Sequence, residues 1–301
     1  MRVLVTGAGG MLGRALLERL APEHEVFALI RGQPAEPMEG VEWVRQDLTE
    51  PLDQRELPEG VDAIAHLAQS RRYRDLPEGA EDVFEVNVHS TFRLLEYARR
   101  CGARRFVLAS TGGVYERSSE PIDEETPLAL SGPYFRSKRI AELLLQDYAE
   151  FLSGVALRFF FIYGPGEGQT LVPRLARRIA AGEEIVVEGD PGMRMNPIYT
   201  DDAAAAVERA LALDRSAVIN VAGAEVTSLG ELVRSLAGAL GREPLLCHEG
   251  TSPGDMVADT SRMTELLGAD SATGLEDGLA VVARSLAGAA PSEVGGDADG
   301  G

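Results

Sequence analysis

The chain has 301 residues, 45% of them hydrophobic and 26% charged, with a formal net charge of −19. That is enough apolar material for one large domain or one and a half. The acidic excess serves solubility and disfavours nucleic acid and anionic membrane as partners, although local N–H groups and arginines can still receive a phosphate. Two cysteines, Cys101 and Cys247, and four scattered histidines, His24, His66, His89 and His248, give neither a disulfide framework nor a metal-ligand spacing, so no metal is expected. No apolar run reaches membrane-spanning length. The chain opens directly into the strand-like run Arg2-Val3-Leu4-Val5 with no leader segment, and a reducing cytoplasm is the expected compartment.

In chain order, short β-branched apolar runs predict strands at Val3–Thr6, Val26–Ile30, Val41–Arg45, Ala63–Leu67, Phe106–Ser110 and Val155–Phe161. Amphipathic stretches between most of them predict helices at Met11–Leu20, Ala80–Arg100 and Tyr134–Phe151. Alternation of this kind implies an α/β fold, a doubly wound parallel sheet of Rossmann type. After about Pro165 the rhythm turns irregular. Helices are expected at Leu171–Ala181, Asp202–Leu213, Ser228–Leu240 and Gly274–Leu286, with short strands at Ile185–Val187, Ile198–Tyr199 and Val218–Val221. Residues 1–165 thus read as a dinucleotide-binding domain. Residues 166–288 read as a smaller, mainly substrate-binding lobe with segments returning to the first domain. The Gly-, Ala- and Asp-rich end, 289–301, reads as a disordered tail.

Gly7, Gly10 and Gly13 form Gly-x-x-Gly-x-x-Gly at the first strand-to-helix junction. The first allows a tight turn, the second lets the backbone approach a pyrophosphate, and the third lets helix and strand pack closely. The helix N-terminus then meets the phosphates. A lone triplet is weak evidence, but this location is the one a dinucleotide site needs. An NAD site usually carries an acid at the end of the second strand. Here Leu29-Ile30-Arg31 ends without one, which favours NADP over NAD unless Arg31 is simply a solvated charge. Asp47, after the third strand, is placed to contact adenine or to cap the strand end.

Ser131-Gly132-Pro133 announces a helix on which Tyr134 and Lys138, four apart, share a face. Ser110-Thr111 ends the preceding strand at the carboxyl edge of the sheet. An alcohol undergoing oxidation must lose a proton as its hydride leaves. A phenol titrating near pH 10 can take that proton if an ammonium and an oxidised nicotinamide favour its phenolate. Of the 29 Lys and Arg residues only Lys138 is lysine. A chain that uses arginine wherever a positive charge will do has kept lysine at the one position where arginine is a poor substitute.

These residues together resemble the extended short-chain dehydrogenase/reductase family, the NAD-dependent epimerase/dehydratase group. The resemblance runs nearly the whole chain, to about Leu286. It rests on the glycine loop, Asp47-Leu48, His66-Leu67-Ala68, Asn87-Val88, Ser110-Thr111 with Val114-Tyr115, Tyr134-x-x-x-Lys138, Arg158 with Tyr163-Gly164-Pro165-Gly166, and Tyr199-Thr200-Asp201-Asp202. It implies that Thr111, Tyr134 and Lys138 are catalytic. The residue reading and the resemblance together give an expected cofactor surface of Gly7, Gly10, Met11, Leu12, Gly13, Arg31, Asp47, Leu48, Leu67, Ala68, Asn87, Ser110, Tyr134, Lys138 and Phe159, and the resemblance implies that Asn87 helps to place the active-site helix. Three departures stand out. Thr111-Gly112-Gly113 lacks the acid pair of the sugar-nucleotide dehydratases, which argues against dehydration. Phe161 stands where many nucleotide-sugar epimerases carry Asn. Arg31 replaces the usual acid.

The expected function is hydride transfer at a secondary alcohol or ketone carbon of a sugar-like, nucleotide-sugar-type substrate, by a C4 epimerase or a ketoreductase. Arg72, with its neighbours Arg71 and Arg74, and Phe161, Arg194 and Asn196 are the expected substrate contacts. A catalytically silent dinucleotide-binding sensor or scaffold is the alternative, which the intact Tyr–Lys pair disfavours. Three successive leucines, Leu143, Leu144 and Leu145, cannot share one helix face. Together with family habit, they imply a homodimer.

Overall fold

The computed structural model describes residues 1–34, 36–53, 56–166, 170–268 and 271–288. The tail expected over 289–301 lies outside the described residues. Strand β1 (Arg2–Thr6) leads into helix α1 (Met11–Leu20), followed by β2 (Glu25–Ile30), β3 (Val41–Arg45) and β4 (Ala63–His66). Helix α2 (Ala80–Phe84), a π-helical turn (Glu85–His89) and α3 (Ser90–Cys101) form one continuous helical stretch ahead of β5 (Arg105–Thr111). Then come α4 (Gly132–Asp147), β6 (Ser153–Phe159), α5 (Leu171–Ala180), β7 (Ile185–Glu188), β8 (Arg194–Met195), α6 (Thr200–Ala210) and β9 (Ala217–Val221). The chain continues through β10 (Thr227–Ser228), α7 (Leu229–Ala239), β11 (Leu246–Glu249), α8 (Ser261–Leu267) and α9 (Leu275–Gly288).

Seven strands form one sheet in the order β3-β2-β1-β4-β5-β6-β9, and every pairing is parallel. Alternate residues of each strand feed opposite faces. Val3, Val5, Val26, Ala28, Val107 and Leu157 pack with α1 and α6. Leu4, Phe27, Ile64, Phe106 and Leu108 pack with α3 and α4. Burial on both faces is why these strands are apolar throughout rather than alternating. A second core joins α5, α7 and α9 to β7 and β8. There β7 pairs in parallel with β11 and β8 antiparallel with β10. Ser228 opens α7 with a capping box to Glu231.

Four expectations differ from the structure. The helix expected over Ala80–Arg100 carries the π turn at Glu85–His89, which puts one extra residue into the helix beside the site. The strand expected to reach Phe161 stops at Phe159, because Phe161 takes a left-handed backbone, φ 49°, that an extended strand cannot continue. Ile198–Tyr199 is no strand. Tyr199 caps α6 and makes only an isolated bridge to Tyr163. The helix expected at Tyr134–Phe151 starts at Gly132 and ends at Asp147.

Candidate active site

Strand order reverses between β1 and β4, and in open parallel sheets the ligand crevice lies at the carboxyl ends of such a pair. Gly7 turns there with φ 71°. A Cβ on it would lie 2.7 Å from the Ala68 nitrogen, and one on Gly13 would lie 2.2 Å from the Gly7 carbonyl oxygen. No other residue type therefore lets α1 come this close to the β1 turn. Gly10 is the N-cap of α1 and no side chain caps that end, so the first-turn N–H groups are left for an anion. Met11 and Leu12 open the helix, and Leu12 and Leu67 pack against the core beneath it. This cradle fits a dinucleotide pyrophosphate.

Beside it, the Thr6 hydroxyl bonds His66 Nδ1 at 2.7 Å and accepts from Ala68 N at 3.2 Å, while His66 Nε2 meets the Thr91 hydroxyl at 3.0 Å. Burial, with the Lys138 charge added, lowers His66 to about 3. It stays neutral and braces the β4 end. Arg31 is exposed past β2, with no hydrogen bond or ion pair among the described residues. Asp47 Oδ1 accepts from the Thr49 nitrogen at 3.0 Å and hydroxyl at 2.9 Å, a strand-end cap, and Leu48 packs against the core behind it. Phe159 is buried at the end of β6, paired in register with Thr111.

Tyr134, Lys138 and Glu142 lie one turn apart along one face of α4. Lys138 is buried and its Nζ donates to the Ala109 carbonyl at 2.9 Å, one residue short of Ser110. Burial lowers it to about 8, against the pull of the Glu142 charge. The Tyr134 phenol donates to Gln69 Oε1 at 2.8 Å, and its ring rests on Tyr73 with centroids 4.7 Å apart. Burial, then Tyr73, pushes the phenol above its ordinary value, with Arg74 pulling the other way. Thr111 Oγ1 accepts from Gly113 N at 3.1 Å and keeps its own proton for a ligand.

Asn87, on the π turn, ties three parts together. Its Oδ1 accepts from Ser70 N and its Nδ2 donates to Ser137 Oγ, both at 2.9 Å, and Ser137 donates to the Tyr134 carbonyl at 2.7 Å. Behind the pair, Ser110 donates to Glu142, which Arg158 grips with two bonds at 2.9 and 2.7 Å. Arg158 also donates to Tyr115 Oη at 2.6 Å, and Tyr115 donates to Asn220 at 2.8 Å. Burial alone would raise Glu142. The Arg158 bonds and charge outweigh it and hold the carboxyl below its ordinary range.

A Cβ on Gly112 would meet the Phe160 ring at 2.5 Å, and one on Gly113 the Phe135 ring at 2.1 Å. An acid pair at these positions would have to displace both rings.

The expected substrate residues scatter. Phe161 is half-buried between two core clusters. Arg194 pairs with Asp255 at 2.8 Å. Asn196 is buried, its Nδ2 on the Ala258 carbonyl at 3.0 Å and its Oδ1 on the Ala258 nitrogen at 2.9 Å. Arg72 pairs with Asp75 at 3.8 Å and Arg71 is exposed, whereas Arg74 lies over the Tyr73 ring at 5.1 Å. Sequence reading missed Gln69, Tyr73, Glu142 and Arg174. Glu142 was findable at four residues past Lys138. Gln69 and Tyr73 follow Ala68 in a loop whose path no periodicity reveals.

Comparison with known proteins agrees with this geometry. The profile described as "NAD dependent epimerase/dehydratase family" matches residues 3–222. A 2-alkyl-3-oxoalkanoate reductase of Stenotrophomonas maltophilia is 36% identical over 218 residues, 68% of this chain and 64% of that protein, so this chain spans less than two thirds of that relative's length. An uncharacterized UDP-glucose epimerase, YtcB, of Bacillus subtilis is 29% identical over 93% of this chain and 96% of that protein. The solved structure of MoeE5 in complex with UDP-glucose and NAD superimposes with a TM-score of 0.83 at 28% identity, over 96% of this chain and 99% of that one. The glycine cradle, the Tyr134–Lys138 pair and the family match agree, and the chain belongs to the NAD-dependent epimerase/dehydratase family, as a hydride-transfer enzyme of the extended short-chain dehydrogenase type that uses a nicotinamide dinucleotide.

Proposed function

We propose that the protein interconverts a ketone and a secondary alcohol, working chiefly as a ketoreductase. The observation that carries this is the Tyr134 phenol, protonated and donating to Gln69 at 2.8 Å, one helical turn from Lys138. The protonated phenol is the form a reduction needs, because the carbonyl oxygen must gain a proton as the hydride arrives. The nicotinamide, when bound, supplies the hydride and its two electrons to the carbonyl carbon. Tyr134 Oη gives its proton to the carbonyl oxygen as that happens. Thr111 donates a hydrogen bond to the same oxygen. Lys138 spends one N–H on Ala109 and has two left for ribose hydroxyls, while its charge stabilises the phenolate left behind.

A C4 epimerase of nucleotide sugars is the second reading, favoured by the relatives named for that activity and by a fold neighbour holding UDP-glucose with NAD. The two readings separate cleanly. An epimerase retains its cofactor through purification and regenerates it each turnover. A reductase consumes one reduced cofactor per product. We expect stoichiometric consumption; catalytic conversion without added cofactor would reverse the assignment.

Arg31 at the end of β2, exposed and without an ion pair among the described residues, supports NADPH as the preferred donor, through a 2′-phosphate. Residues 1–165 would hold it and 166–288 mainly the substrate. Phe84, Phe92 and Leu143 are exposed on α2, α3 and α4 and Phe151 in the turn after α4, which supports a homodimer through that helical layer; a monomer mass at micromolar concentration would reject it. No helix among the described residues is long and apolar enough to cross a membrane, and a cytoplasmic site of action is part of the same proposal.

A further inference from the structure

We infer that the substrate is an amphiphilic keto compound: an apolar body lying on Tyr73, Leu130, Phe135 and Phe161, and an anionic group held between Arg74 and Arg174. This rests on the hydride-transfer reading above and names its substrate class.

The phenol of Tyr134 is framed by apolar and aromatic side chains. Tyr73 stacks on it, and Phe135 meets its ring edge-on at 5.3 Å. Leu130, Phe135 and Phe161 are half-buried, packing on one side against Val114, Tyr115 and Phe160. Leu130 and Phe161 are also the non-glycine residues with left-handed backbones among the described residues, φ 46° and 49°. Glycine or asparagine would sit there without strain. Large apolar side chains are kept instead, and strain of this kind gathers at ligand sites. The polar groups that could read a sugar diphosphate are engaged elsewhere: Asn196 on Ala258 and Arg194 on Asp255.

Positive charge appears at one edge of this wall. Arg74 lies over Tyr73. Arg174, in the first turn of α5, is lowered by burial and then by the charge of Arg74, so two guanidiniums stand within electrostatic reach of each other. Neither has an ion pair with a carboxylate among the described residues. In a chain of net charge −19, two like charges held together without a carboxylate form a place for an anion, carboxylate or phosphate, that a guanidinium fork can bind.

The test uses the full chain with reduced nicotinamide cofactor. The substrates are a medium-chain β-keto acid, its methyl ester, the matching keto phosphate and UDP-glucose. We expect turnover of the acid or the phosphate, whichever anion is the physiological one, with the KM of the ester at least about tenfold higher and kcat little changed. Arg74→Gln and Arg174→Gln should each raise KM for the anion several-fold more than KM for the ester. Both side chains are exposed, so folding is not at stake. A saturated fatty acid of the same length should inhibit competitively where its methyl ester does not. Equal KM values for acid, phosphate and ester, or turnover of UDP-glucose alone, would overturn this proposal while leaving hydride transfer intact. Failure of the hydride reading itself would show differently, as no binding of any nicotinamide dinucleotide.

Discussion

The Tyr134 hydroxyl donates to Gln69 at 2.8 Å, so its phenol is anchored to the loop that follows β4. The same loop carries Tyr73, on which the phenol ring stacks, and is held by Asn87 through the Ser70 nitrogen. Asn87 also grips α4 at Ser137. One amide, on a π turn, therefore fixes both the helix that carries the phenol and the loop that accepts its hydrogen bond. Asn87→Ala is expected to lower kcat more than it raises KM for cofactor, by about tenfold, because the glycine cradle does not depend on it. An equal loss in both would place Asn87 in binding instead.

Lys138 gives a pH signature. Burial brings it down to about 8, so its charge is present below that value and lost above it. Reduction should therefore run level at lower pH and fall as pH climbs through about 8. Lys138→Arg keeps its charge over that whole range. The variant should be slower, from poorer fit, and should lack the fall. A pH–rate profile of the two proteins reads this directly.

The glycine cradle can be tested with a built-in control. Gly13→Ala puts a methyl group into the Gly7 carbonyl, whereas a Cβ on Gly9 meets nothing within 4 Å. Gly13→Ala should weaken cofactor binding by tenfold or more and destabilise the fold by about 1–3 kcal/mol. Gly9→Ala should do neither. Fluorescence titration with reduced cofactor and thermal melts measure both.

Arg158→Met leaves Glu142 buried beside Ser110 with its main counter-charge gone. The expected loss is about 3–5 kcal/mol by urea unfolding, the usual consequence of stranding a buried charge. The sign with pH follows from the depressed carboxyl of Glu142. In the wild type the pair contributes stability above the ordinary carboxylate range and loses it as pH falls through the lowered value. In the variant Glu142 should titrate upward, so the deficit should shrink in acid.

Much of this was legible in the sequence because local pattern and global fold agree. Six of the seven expected strands of the sheet end within a residue of their observed bounds, since strands buried on both faces must be apolar runs between turns. Spacing showed the glycine turn and the shared helix face of Tyr134 and Lys138, while the roles given to them and to Thr111 also drew on composition and on the family resemblance. What was missed depends on tertiary placement. The strand β11 has Cys247, His248 and Glu249 in it and becomes a strand only by pairing with β7. Phe161 reads as strand by composition, yet its backbone is left-handed and it packs between two core clusters built from segments distant in sequence. Arg174 lies 100 residues from Arg74 in sequence, and nothing along the chain announces that the charge of one reaches the other.

The most direct test of the central claim follows the hydride itself. Protein loaded with reduced cofactor deuterated at the nicotinamide is mixed with the keto acid panel, and product deuterium and loss of nicotinamide absorbance are read together for wild type and Tyr134→Phe. The account predicts one deuterium per product in the wild type. It predicts a rate lower by about 10²–10⁴-fold in the variant, with cofactor affinity little changed. Wild-type speed in Tyr134→Phe would contradict it.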